Sequence, residues 1–200
     1  MNRRSATDLA VMIALMAAGA GMRITFRDLP NFAPIAAIAL FAGYYFRSAS
    51  RAAVVPLAAM CLSDMVIGGY QWHIMATVYT FLTLPVVWNG LLHRYLKIEQ
   101  GRWTETAFAL VTLLSCSLSS SLLFYAASNF ACWPGSKIYS QDLDGLMHCM
   151  VQGLPFFRYT LAGDMFFGVV LFGSYAAAIQ LGLATNRQTT SLPTLAEAAK

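Results

Sequence analysis

The chain has 200 residues, of which 58% are hydrophobic and 11% are charged, and its mean hydropathy is +0.58. Soluble globular domains carry about 25% charged residues, so this composition excludes an ordinary soluble domain and indicates a polytopic membrane protein. The formal net charge of +4 does not indicate a nucleic-acid partner, because the cations lie in short gaps between apolar runs and form no basic face.

Six apolar runs follow one another at residues 9–25, 32–46, 52–69, 74–92, 104–127 and 159–184. They are continuously apolar rather than alternating, which favours transmembrane helices over a barrel. The first run resembles a secretory signal, but the five runs after it favour its retention as a first span. The sequence therefore predicts an all-α fold with one six-helix transmembrane domain over residues 1–185. Residues 186–200 are predicted to form a disordered cytoplasmic tail.

The distribution of Lys and Arg predicts the orientation in the membrane. If the N-terminus is inside, nine cations lie on the inner side and four on the outer side, the outer ones being Arg23, Arg27, Lys137 and Arg158. Cytoplasmic segments carry the excess of cations, so both termini are expected in the cytoplasm. Pro56 lies within the third apolar run and Pro85 within the fourth, and each is expected to kink its helix.

The longest polar interruption of the sequence runs from Asn129 to Met165 and enters the last apolar run with Arg158 and Asp164. A second acid, Asp64, lies in the third run. Ionisable groups in a membrane span are costly and indicate a functional site by default. Both aspartates are expected roughly 8–9 Å below the outer surface.

Asn31 opens the second run on that same side, so these polar groups predict one pocket in the outer half. Arg158 and Asp164 lie about 240° apart around a helix and cannot pair along it. Arg158 is therefore expected to find an acidic partner such as Asp64 on another element. The alternative is that the buried charges only hold helices together in a structural or assembly subunit.

Trp72 and Trp133 are flanked by polar loop residues and are candidates for ligand contact, although interfacial belts of Trp and Tyr are common. Residues 147–150, Met-His-Cys-Met, carry soft ligands, but consecutive residues rarely converge on one ion, so no metal and no other cofactor is predicted. Cys132 and Cys149 share the outer loop, and whether they form a disulfide is left open.

The first run places Ala10, Ala14 and Ala18 at intervals of four, a spacing of small residues that allows another helix to approach closely. They are candidates for docking a partner. No nucleophile with a base and no known catalytic motif is present, so enzymatic activity is not predicted. An intramembrane enzyme that uses Asp64 and Asp164 as acid and base is the third alternative.

Several short motifs together resemble the DUF6580 family of bacterial membrane proteins. They are NFAPIAAIALFAG from Asn31, PLAAM from Pro56 with Asp64, Gly145-Leu with Cys149, PFFR from Pro155, and Gly163-Asp164. Met150 stands where the family usually has an aromatic residue. The resemblance implies a bacterial inner-membrane transport protein.

In size and six-helix layout that family is similar to the substrate-binding S components of energy-coupling-factor transporters. These proteins bind vitamins or metal ions from outside and meet an energising module through small residues of the first helix. The likeness implies uptake of a small polar solute of the vitamin or cofactor-precursor class, with the lipid bilayer and an energising module as further partners. The substrate-binding candidates are Asn31, Asp64, Trp72, Asn129, Trp133, Cys149, Arg158 and Asp164.

Overall fold

A computed structural model describes residues 3–29, 31–46, 48–96 and 103–182, and within these ranges all regular secondary structure is helical. The helices are α1 (Arg3–Thr25), α2 (Ile35–Phe46), α3 (Ala49–Ile67), α4 (Trp72–Thr83), a 3-10 turn (Leu84–Trp88), α5 (Asn89–Tyr95), α6 (Trp103–Cys132) and α7 (Leu143–Gln180).

Five helical segments of the described chain are long and apolar enough to cross a membrane. They are Ser5–Thr25, Ala49–Ile67, Trp72–Tyr95, Ala107–Cys132 and Leu143–Gln180. The all-α, multi-pass prediction is confirmed at this level. The predicted tail over 186–200 lies outside the described residues.

The predicted second span is a short internal helix. Its 12 residues in α2 reach about 18 Å, against a hydrocarbon core of about 30 Å. All twelve are buried, as expected for a helix that is apolar around its whole circumference. The run is shortened at its start because Asn31 has a φ of 59° and helical geometry begins only after Pro34.

Close packing of small residues fixes how α1, α2 and α3 lie against one another. A Cβ on Gly19 of α1 would lie 3.0 Å from Ala59 of α3 and 3.0 Å from Ile38 of α2. Near the ends of α1 and α3, Arg23 contacts Asp64, so these two helices run parallel with α2 returning beside them. In a membrane, such packing replaces the hydrophobic effect as the force that holds helices together.

The two prolines expected to kink their helices differ in their surroundings, and only Pro85 lies where an α-helix is interrupted. Pro56 lies inside α3, and Pro85 lies in the 3-10 turn that separates α4 from α5. The predicted fourth span is therefore built from three pieces. The turn packs tightly on α2, because a Cβ on Gly43 would come within 2.9 Å of the Val86 carbonyl oxygen.

The last helix is much longer than the apolar run that predicted it. α7 has 38 residues, or about 57 Å, and begins at Leu143 instead of near residue 159. The side chain of Asp142 caps its start by accepting a hydrogen bond from the Gly145 backbone N–H at 2.8 Å. The predicted polar interruption from Asn129 onward is thus mostly helix, with a short connection at residues 133–142.

The end of the bundle that contains the C-terminal parts of α2 and α7 is filled by aromatic rings. Phe41 contacts Phe172 at 5.3 Å between ring centroids, and Tyr44 and Tyr45 both contact Tyr175. Phe41, Tyr44, Tyr45 and Phe172 are all buried. We call these five residues the aromatic cluster.

The tight contact at Gly43 predicts a measurable effect on stability. Gly43→Ala is expected to lower the free energy of unfolding by about 1–3 kcal/mol, because the new methyl group meets backbone that cannot rotate away. Gly173→Ala is the matched control, since nothing lies within 4 Å of a Cβ there and Ala is the better helix former. Thermal unfolding of both variants in detergent tests this, and equal melting temperatures would contradict the described packing.

Candidate functional site

A cavity of about 520 Å³ opens at the end of the bundle opposite the aromatic cluster. It lies where α1, α3 and α6 end and where α2, α4 and α7 begin. All six helices, or the loops beside them, contribute lining residues. We call it the polar pocket, because charged, amide and hydroxyl side chains share its walls with aromatic rings.

Four of the eight predicted binding residues line the polar pocket, namely Asn31, Asn129, Cys149 and Asp164. These four residues therefore lie around one cavity at one end of the molecule, where the sequence predicted that polar groups would gather. The other four candidates, Asp64, Trp72, Trp133 and Arg158, are not among the lining residues.

Asp164 is the deeply buried acid of the pocket. Its residue surface is 2% exposed, and its Oδ2 accepts a hydrogen bond of 2.6 Å from the Ser121 hydroxyl of α6. Among the described residues, neither a cation nor a second donor contacts this carboxyl group. Burying an ionised carboxyl group with a single hydrogen bond costs free energy. A further hydrogen-bond donor or a cation would reduce that cost.

Asn129 and Cys149 bring α6 and α7 together at another part of the pocket wall, nearer the start of α7. The Asn129 side-chain amide donates to the Tyr125 carbonyl at 2.8 Å, and the Cys149 thiol donates to the Asn129 carbonyl at 3.5 Å. Gly153 provides the space for the amide, because a Cβ there would lie 2.4 Å from the Asn129 Oδ1. The amide is therefore held at the pocket wall by its own neighbours.

Asp64 is satisfied by the protein. Its carboxylate forms an ion pair with Arg23 of α1 and accepts a hydrogen bond of 2.8 Å from the Tyr79 hydroxyl of α4. Arg23 also donates to the Ser63 hydroxyl at 2.6 Å and to the Met60 carbonyl at 3.4 Å. The arrangement joins three helices. The charge of Arg23 is paired with Asp64 and is therefore not available to pair with a ligand.

The prediction that Arg158 pairs with an acid on another element is wrong. Its side chain is exposed and contacts the adjacent Tyr159, with a hydrogen bond of 3.3 Å to the hydroxyl and a cation–π contact. Arg158 lies on an exposed face of α7, since Leu154 and Ala162, one turn before and after it, are also exposed. Trp72 is likewise outside the pocket, 80% exposed, and its ring contacts His73.

Trp133 organises the connection between α6 and α7. Its indole N–H donates to the Ser140 carbonyl at 2.8 Å. The Gln141 side chain accepts from the Gly135 N–H at 3.1 Å and donates to carbonyls of Trp133, Ser136 and Tyr139. These bonds satisfy the backbone of a short loop and hold Tyr139 at the pocket.

The thiols of Cys132 and Cys149 both line the pocket and are free, without a disulfide between them. Met147 and His148 are exposed on α7, whereas Cys149 is buried. The four consecutive soft side chains therefore do not share one face. Within the described ranges, no three His, Cys, Asp or Glu side chains lie together as a metal site.

The proposed docking residues Ala10, Ala14 and Ala18 are all exposed on α1. Their common exposure leaves that face of α1 uncovered in a single chain. Nothing in the described structure shows a partner there, and the docking role stays a prediction.

Sequence reasoning missed several residues of the pocket. Arg27, Tyr139 and Gln152 line it, as do Arg23 and Tyr70. In the sequence, Arg23 and Arg27 follow an apolar run and were interpreted only as cations that indicate membrane orientation. Gln152 lay in a stretch interpreted as loop, whereas its position one turn from Cys149 on α7 brings both to one face.

Tyr70 lies in the connection between α3 and α4, near the ion pair. Burial raises the pKa of its hydroxyl above the ordinary value of 10.0, and the carboxylate of Asp64 raises that pKa further, whereas Arg23 lowers it. The hydroxyl therefore stays protonated at neutral pH and can donate a hydrogen bond into the pocket.

A family model described as a family of unknown function, DUF6580, matches residues 3–187. The match covers nearly the whole chain, including every helix described above, and the protein belongs to this family. No curated protein and no solved structure matches the chain.

The ion pair predicts a specific pattern of stability. Arg23→Met or Asp64→Leu alone is expected to cost about 3–5 kcal/mol, because each leaves one buried group without its partner. The double variant Arg23→Met/Asp64→Leu should recover much of that loss, since no buried charge remains. Chemical or thermal unfolding of the three variants measures this coupling, and strictly additive losses would show that the two side chains do not depend on each other.

The cap of α7 predicts a dependence on pH. Hydrogen bonds from the Ser140 hydroxyl and the Gly145 N–H lower the pKa of Asp142 below its ordinary 3.8. The cap should thus stabilise the fold fully above the unfolded pKa and lose its effect as the pH falls through the lower folded value. Asp142→Ala should lower the melting temperature at pH 7 and match the parent in strong acid. A difference that does not change with pH would contradict the capping role.

Proposed function

We propose that this protein binds a small polar solute in the polar pocket and carries it inward across the bacterial inner membrane. In this proposal both termini are cytoplasmic, the chain crosses the membrane six times with α2 as a short internal crossing, and the pocket opens to the periplasm. The observation that carries the proposal is Asp164, a buried acid at the wall of an open cavity with one hydroxyl donor from the protein.

The dimensions and chemistry of the cavity support binding of a small molecule. Its volume of about 520 Å³ falls within the roughly 300–1,000 Å³ of small-molecule sites. Amide, hydroxyl and charged groups from several helices converge on it between apolar walls, which is the usual composition of such sites. A solute that supplies donors to Asp164 would offset the cost of burying the carboxyl group.

The distribution of cations supports the orientation. The pocket end carries Arg23, Arg27, Lys137 and Arg158, the smaller of the two groups of cations. Under the positive-inside rule this end faces the periplasm. The resemblance in size and layout to S components supports an uptake role. The exposed Ala10, Ala14 and Ala18 would then meet an energising module.

A structural or assembly subunit is the second candidate, and one observation favours it. The Asp64 carboxylate is engaged by Arg23 and by the Tyr79 hydroxyl, as expected of a charge that only joins helices. Asp164 differs, because among the described residues it contacts one hydroxyl donor and no cation. The same observation weighs against Asp64 and Asp164 as a catalytic acid and base, since the Asp64 carboxylate is already engaged. We therefore propose no enzymatic activity.

The proposal predicts that a small molecule co-purifies with the protein. Native mass spectrometry should detect a bound species on the parent and on Leu122→Trp, whose substituted side chain is exposed on α6. Ser128→Trp, on the same helix but lining the pocket, should lack the species because the indole fills the cavity. A parent without any bound species, or a species that persists in Ser128→Trp, would contradict a solute site in the pocket.

A further inference from the structure

The charges of the polar pocket define the chemical class of its ligand. Among the residues that the structure describes, three ionisable side chains with a formal charge line it, namely Arg23, Arg27 and Asp164. Arg23 is neutralised by its ion pair with Asp64. The Arg27 side chain is 64% exposed, so water screens its charge. Asp164 is therefore the ionisable side chain of the pocket that no described cation pairs with, and a bound cation would stabilise its carboxylate form.

The hydrogen bonding of Asp164 leaves a defined acceptor for a ligand. The Ser121 hydroxyl contacts Oδ2, and no described residue donates to Oδ1. Ser121 has one proton and is also 3.0 Å from the Ser117 carbonyl, so it supplies at most one hydrogen bond to the acid. An ionised carboxylate accepts several hydrogen bonds, and a ligand N–H group can complete them.

The surroundings of this acid suit an organic cation better than a metal ion. Ca²⁺ and Mg²⁺ take six or more oxygen ligands, usually with several carboxylates, and the pocket offers one uncommitted carboxylate. Its walls instead present aromatic rings from α6, α7 and the segment before α2. Phe26 and Phe32 meet edge to face at 5.6 Å, and Phe124 and Phe156 line the same space. Such faces attract flat apolar groups and cations.

We propose that the polar pocket selects a monovalent organic cation, a protonated nitrogen with at least one N–H group attached to a flat apolar ring. The charged nitrogen pairs with Asp164 and the ring lies among the phenylalanines. This assignment rests on the proposed function, because it names the class of solute for the same pocket.

Three compounds of nearly the same shape test the assignment. Benzamidine is a planar cation, benzamide is its neutral counterpart and benzoate is the anion. Equilibrium dialysis against the purified protein in detergent should show benzamidine binding about tenfold or more tightly than either of the others, as a hydrogen bond to a charged group implies. Ser128→Trp should abolish this binding, which places it in the pocket.

The residue responsible is tested by two matched carboxylate variants. Asp164→Asn should remove the preference for benzamidine over benzamide. Asp28→Asn should retain it, because the Asp28 side chain is 93% exposed at the same end of the molecule and does not line the pocket. If Asp164→Asn does not fold, the ranking of the three compounds on the parent protein still decides the proposal.

The outcomes separate this assignment from the proposed function. Equal affinity for benzamidine and benzamide would overturn the cation assignment, as would tighter binding of benzoate, while binding blocked by Ser128→Trp would still support a solute pocket. Preference retained in Asp164→Asn would also overturn it. Absence of saturable binding by all three compounds would overturn the assignment too, and the co-purified species would then test the proposed function independently.

Discussion

The ion pair between Arg23 and Asp64 is the interaction on which the pocket depends. It joins α1 to α3, and the Tyr79 hydroxyl adds α4 to the same carboxylate. A buried ion pair offsets the cost of its desolvation only when additional hydrogen bonds engage both charges. Here the Arg23 guanidinium also donates to the Ser63 hydroxyl and to the Met60 carbonyl. The pair also engages the positive charge of Arg23, so that no cation among the described residues pairs with Asp164.

The two buried aspartates show how neighbours decide the role of one residue type. Asp64 has a cation and a phenol, and it therefore acts as a joint between helices. Asp164 has one hydroxyl donor and an open cavity beside it. Their hydropathy context is the same, an isolated acid in an apolar run. Only the contacts across helices distinguish a structural charge from one that is available to a ligand.

Composition and the apolar runs predicted the helical membrane fold, and isolated acids predicted which end carries the polar groups. The partner of Asp64 could not be predicted, because Arg23 is 41 positions away and looks like a flanking orientation signal. The first turns of α7 were missed for a different reason. They contain Asp144, Gly153 and Pro155, which lower local hydropathy and helix propensity, whereas the cap at Asp142 and packing against α6 stabilise the helix regardless.

The two ends of the bundle differ in a way that bears on movement of a solute. The pocket opens at one end, while at the other the rings of α2 and α7 interlock, with Phe41 against Phe172 and Tyr44 against Tyr175. In the proposed function, a solute held at Asp164 would have an open route on one side only. Its passage to the other side would then require α2 and α7 to separate at the aromatic cluster. The tight contact of Gly43 with the Val86 backbone ties α2 to the 3-10 turn, and the hydrogen bond from Ser121 to Asp164 ties α7 to α6.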